Sequence, residues 1–173
     1  FRTIKCKTKM KQILLSYTAY EGWANEQLLN LAVQLSLEEQ NREVLSSFSS
    51  LHKTFLHMWD ASSAWWQRLQ MHENIVMPSL TFHPSMKDIS NGLLHQNKQW
   101  EQFVEQATEE MLAASLPYKN MKGQSFLQPL SDIIIHLTNH GTYHRGQVTT
   151  ILRQLGVDRI PQSDYIVFKR QRG

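Results

Sequence analysis

Apolar residues recur at steps of three and four along four stretches of the chain, each long enough for a helix that crosses a small domain. The first runs from about Met10 to Leu35, with Ile13, Leu14, Tyr17, Tyr20, Trp23, Leu28, Leu31 and Leu35 on one broad stripe. The second runs from about Ser47 to Met71 through Phe48, Leu51, Phe55, Met58, Trp65 and Leu69. The third runs from about Met86 to Met111 through Ile89, Leu93, Leu94, Trp100, Phe103 and Val104. The fourth begins at Pro129, a residue suited to a helix's first turn, and reaches Leu155, where Gly156 stops it.

The intervening segments fit this reading. Ser36 with the acids behind it caps a short turn. Pro78 and Pro84 make "PSLTFHPS" a connection, and "SLPYKNMKGQSFLQ" reads as a loop or a small hairpin before the last helix. "DYIVFKRQ" closes the chain and is expected to pack Tyr165, Ile166 and Phe168 back on the helices. Four long helices without a convincing sheet predict an all-α four-helix bundle, in one domain spanning residues 10–173.

The fourth helix carries the candidate chemistry. Ile133, Leu137, His140, His144, Val148, Ile151 and Leu155 form one continuous core stripe whose middle positions are histidine. Residues four apart stack about 6 Å apart on one helical face, a spacing that suits two ligands of one ion. The plainer alternative is two core histidines hydrogen-bonded to neighbours. An unpaired buried imidazole costs about 1–3 kcal/mol, and one shared cation satisfies both rings. His136 stands about 100° off the stripe, which puts it at the rim or in support of the site.

A third ligand has to come from another helix, and His52, His57, His72, His83 and His95 are the candidates. His72 and His83 fall at a helix end and in a loop, whereas His95 sits within the third helix. His57 has Ala61 and Ala64 on its own face, which leaves room for an ion and a substrate, but it lies at the margin of the core stripe. Pattern alone leaves the choice open. Asp60, three residues after His57, is placed either to orient that ring or to act as a general base in a metal-dependent hydrolase. The chain contains no G-x-S-x-G, P-loop, G-x-G-x-x-G or H-E-x-x-H motif, and no Glu-x-x-His pair of the di-iron kind. The five tryptophans recur at helical spacing and read as core.

Composition narrows the partners. The 173 residues carry 18 basic and 15 acidic side chains, but Arg2, Lys5, Lys7, Lys9 and Lys11 supply five of the bases. Without them 13 basic residues face 15 acidic ones, so nucleic acid is not an expected partner of the folded body. Residues 1–9 read as a leader or an added tail, with Met10 a plausible natural start. No apolar run approaches membrane-spanning length, and the single Cys6 allows no intrachain disulfide, so a cytoplasmic protein is expected. A metal here must be held by histidine and carboxylate.

"HLTNHGTYHRGQVTTILRQLG", "LHKTFLHMWDASSAWWQRL" and "YEGWANEQLL" together resemble the DinB-like proteins, whose broader superfamily includes the YfiT-like thiol transferases. The match in order and spacing spans nearly all of residues 10–168, and Asn139 through Gln147 is its most specific part. The resemblance implies a bundle, often dimeric, with a divalent metal on three histidines; carried onto this chain these are His57, His140 and His144. Arg145 and Gln147 match the family signature, in packing or interface roles as readily as chemical ones. Some relatives transfer low-molecular-weight thiols such as bacillithiol or mycothiol to electrophiles. The resemblance therefore implies a metal-dependent thiol transferase, with zinc or nickel as the ion and iron, manganese or copper as alternatives. The competing expectations are the hydrolase and a non-catalytic dimeric bundle serving a stress or DNA-damage response.

Overall fold

The computed structural model describes residues 9–172, so the expectations for residues 1–8, including Cys6, lie outside it. Four long helices form the bundle: α1 (Lys9–Ala32), α3 (Leu51–Leu69), α5 (Met86–Gln106) and α7 (Leu130–Gln154). Short helices α2 (Leu37–Asn41), α4 (Pro78–Thr81) and α6 (Glu109–Ala113) sit in the connections, and α8 (Tyr165–Arg172) ends the described chain. Strands β1 (Ser115–Lys119) and β2 (Ser125–Pro129) form an antiparallel hairpin, Ser115 opposite Pro129 and Lys119 opposite Ser125. No helix among the described residues is long and apolar enough to cross a membrane.

Several element ends differ from the sequence pattern because polar caps override it. α3 starts after Ser50, whose hydroxyl accepts the Lys53 N–H, so Phe48 lies outside the helix. The third segment is split: α5 ends at Gln106, and Thr108 caps the separate α6. Gly156, with φ of 84°, terminates α7 as expected. The ambiguous segment before α7 is a hairpin, its turn tied by Asn120 Oδ1, which accepts from the N–H groups of Lys122 and Gln124. At the C-terminus Tyr165 and Phe168 pack against Tyr20, but Ile166 faces solvent, as does Ile13 on α1.

Each of α1 and α3 packs against both α5 and α7. Contacts at the helix ends fix the directions. Lys11 Nζ near the start of α1 donates to the carbonyls of Glu105 and Ala107 at the end of α5, so these two helices run antiparallel. His52 at the start of α3 bonds the Pro84 carbonyl just before α5, and Trp66 meets Trp100 further along, so α3 and α5 run parallel. Trp65 meets His136 while His57 meets His144, so α3 and α7 run antiparallel. The topology is up-down-down-up, and the 16 residues between α3 and α5 make the crossover that a parallel pair needs.

The core holds two large apolar clusters, and a smaller third one of Tyr20, Ala24 and Phe168 lies under α8. Of the large two, one holds Leu28, Leu51, Phe55, Ile89, Val148 and Ile151; the other holds Leu14, Trp100, Val104, Leu112, Leu130 and Ile134. Between them the helices place Glu21, Asn25, Asn97, His140, His144 and Arg145 at the same level. A polar layer of this kind interrupts apolar packing, and it persists only where its groups satisfy one another.

Candidate metal centre

Three histidines from two helices converge in this layer. His57 Nε2 and His144 Nε2 each lie 3.1 Å from His140 Nε2, and all three ligand atoms fall within 4.8 Å of one another. Helix α7 brings His140 and His144 together through their four-residue spacing; the antiparallel crossing of α3 supplies His57.

The protonation of the three rings follows from their surroundings. His144 Nδ1 donates to Gln147 Oε1 at 2.8 Å, which leaves its Nε2 as a lone pair in the neutral ring. Gln147 is itself fixed, because its Nε2 donates to Ser47 Oγ. Burial, then the neighbouring rings of His144, His57 and His136, push the His140 pKa down to about 4. Burial, then His144, lowers that of His57, against a smaller opposing pull from Asp60. Burial also lowers that of His144, and the bond to Gln147 works the other way. Near neutral pH all three rings are therefore uncharged, the form that coordinates a cation. With His144 Nε2 a lone pair, His140 Nε2 can make an ordinary hydrogen bond to at most one of its two ring neighbours. The donor set suits a divalent ion.

The surroundings divide into covering, orienting and buttressing groups. Phe48 stacks on His57 with ring centroids 4.2 Å apart and leans on His144 at 5.6 Å. On the inner side a cavity of about 30 Å³, enough for a water molecule, is bounded by His140, Gly141, Glu21, Asn97 and Ser62. Glu21 is held there by Arg145 Nη1 at 2.7 Å and Asn25 Nδ2 at 3.1 Å. Asn25 also donates to Asn97 Oδ1, which ties α1, α5 and α7 together. Burial drives the Glu21 carboxyl above its ordinary range, with Arg145 and Asn25 pulling against it. Gly141 has a steric reason: a Cβ there would fall within the Glu21 carboxylate.

The other sequence candidates sit elsewhere. Asp60 is buried and its Oδ1 accepts the Ser79 N–H, with no hydrogen bond to His57 among the described residues. His136 lies at an exposed rim, its ring 5.8 Å from that of His140 and 5.7 Å from Trp65. His52 is taken by Pro84, and His72, His83 and His95 are exposed. Periodicity did not single out Gln147 or Glu21, and it placed Phe48 on the second helix's apolar stripe rather than at the site. Gln147 stands three residues after His144, a spacing that could have marked it as a partner for the ring. Phe48 and Glu21 reach the site through long-range packing and left no such signal.

These features define a class: an up-down-down-up helical bundle with a three-histidine centre in its polar layer. The DinB family model matches residues 10–172, and the chain belongs to the DinB family. The chain is 27% identical over 155 residues to Protein DinB of Bacillus subtilis (strain 168), covering 84% of this chain and 87% of that protein. It also shares its fold with the crystal structure of a DinB-like protein from Bacillus cereus ATCC 10987. The TM-score there is 0.67 at 21% identity, with 86% of this chain and 94% of that one covered.

Proposed function

We propose that the protein is a divalent-metal-dependent enzyme that transfers a low-molecular-weight thiol to an electrophile, with His57, His140 and His144 holding the ion. The observation that carries this reading is the convergence of three neutral Nε2 atoms within 4.8 Å in a chain of the DinB family. Three protein ligands leave a coordination position open, as catalytic centres do, and His57 is only half-buried, so solutes can reach it. Zinc or nickel suits three imidazoles, as do iron, manganese and copper. When bound, such an ion lowers the pKa of a coordinated thiol and presents it as the thiolate.

The chain's own residues bind, orient and shield. Gln147 sets the tautomer and direction of His144, and Ser47 holds Gln147 in turn. Phe48 covers the rings of His57 and His144 on one side. None of these groups carries a sulfur, so the attacking sulfur belongs to the thiol co-substrate. Its lone pair forms the new carbon–sulfur bond, the leaving group departs with its electron pair, and the thiol proton passes to solvent. On the same reading the enzyme works as a homodimer, as the resemblance of its motifs implies, and in the cytoplasm, as its single cysteine suits.

The test begins with metal content by mass spectrometry on wild type, His57→Ala and His140→Ala. We expect about one divalent ion per chain in wild type and none in either variant. Metal-loaded wild type should then conjugate a low-molecular-weight thiol to monobromobimane faster than either variant does. No bound metal after incubation with zinc or nickel would remove the site; bound metal without conjugation would remove the transferase and leave the metal centre.

A further inference from the structure

A second feature lies beyond the histidines along the α3–α7 groove. His136 opens a compartment of about 210 Å³ with Trp65, Tyr118, Gln128 and Asp132, and Tyr118 is shared with an outer groove of about 430 Å³. The outer groove is bounded by Arg68, His72, Glu73, Pro117 and Lys119. The two together match the size of sites that take small organic ligands. The β1–β2 hairpin forms one wall, and Phe126 stacks behind Tyr118 at 5.6 Å.

Arg68 is the unusual group here. Its guanidinium lies 4.7 Å from the Trp65 ring centroid and 5.7 Å from that of Tyr118, so two aromatic faces hold its direction. Its Nε is buried and has no hydrogen-bond partner among the described residues. No carboxylate among those residues forms an ion pair with it. A fixed planar cation with free donors, facing a groove, is matched to an oxyanion. Lys119 adds a second positive charge to the outer groove, where Glu73 is the one acidic residue of the lining among the described residues. Asp132 sits in the inner compartment beside His136. A bound anion is thus favoured at the outer end and disfavoured beside Asp132 and His136. From His140 the ring steps run 5.8 Å to His136, 5.7 Å on to Trp65 and 4.7 Å to Arg68.

We propose that Arg68 anchors the carboxylate or phosphate group of the site's organic ligand, whose planar or apolar body lies along Trp65 and Tyr118. The inference rests on the functional reading above for the ligand's reactive end, and on the groove alone for its anionic end. Benzoate, phenyl phosphate and neutral benzamide serve as probes, titrated into isotope-labelled wild type and Arg68→Gln, with the Trp65 indole N–H followed by NMR. Benzoate or phenyl phosphate should bind wild type at least about tenfold tighter than benzamide, and Arg68→Gln should lose that preference. Whichever oxyanion binds tighter identifies the group. Equal binding of benzamide, or an unchanged preference in Arg68→Gln, would show that Arg68 only packs on its aromatic neighbours. Should Arg68→Gln fail to fold, Lys119→Gln decides instead, with a weakened preference supporting the site and an unchanged one overturning it. Absent conjugation with intact oxyanion preference would sink the transferase and spare the groove; the reverse would do the opposite.

Discussion

At the scale of the residue, His140 carries the strongest perturbation. Burial and three neighbouring imidazoles hold its pKa at about 4, against 6.5 for a free ring. The unfolded chain therefore takes up a proton at His140 below about pH 6.5, and the folded metal-free protein does not until about pH 4. Stability from this group is complete above pH 6.5 and falls as the pH drops towards 4, with no further loss below. His57 and His144 shift in the same direction and add to the trend. Thermal unfolding of chelator-treated protein across this range should show the midpoint falling as the pH drops, less steeply in His140→Gln. An equal slope in that variant would assign the trend to other groups, His57 and His144 or the carboxylates.

At the scale of the element, α7 works on two faces at once. His140 and His144 turn toward α3, while Gly141 and Arg145, one residue later, turn toward Glu21 and Asn25 on α1. Arg145 is thus a packing group, one of the packing, interface and chemical roles its sequence position allowed. Gly141→Ala sets two effects against each other. Alanine gains about 1 kcal/mol of helix propensity. The added methyl displaces the Glu21 carboxylate from a buried ion pair, and overpacking alone costs about 1–3 kcal/mol. The clash wins where the pair cannot shift, so urea unfolding should show a net loss of about 1–2 kcal/mol. A net gain would mean that Glu21 swings away at little cost.

At the scale of the whole molecule, the polar layer divides the core and places the three histidines where α3 crosses α7. An ion held by both helices binds the folded state and not the unfolded chain, so it adds stability by mass action. At a free zinc concentration a hundred times the dissociation constant, the gain is about 2.7 kcal/mol. For a domain of this size that corresponds to a rise in Tm of about 5–10 °C. Thermal shift assays with and without zinc should show it for wild type and not for His57→Ala. A rise of equal size in both proteins would point to zinc binding away from the triad.

Local pattern alone determined the four long helices, a loop or hairpin before the last of them and the His140–His144 pair, because periodicity and cap chemistry are read over a few residues. The sequence motifs also carried the resemblance that nominated His57, although its periodicity put it at the edge of the core. Only the tertiary structure decided that Glu21 fills the space above Gly141, that Phe48 leaves α3 to cover His57, and that Arg68 faces a groove closed by the hairpin. Those contacts join residues that lie on different elements. They depend on how helices cross and which way they run, and no periodicity within one helix encodes the crossing.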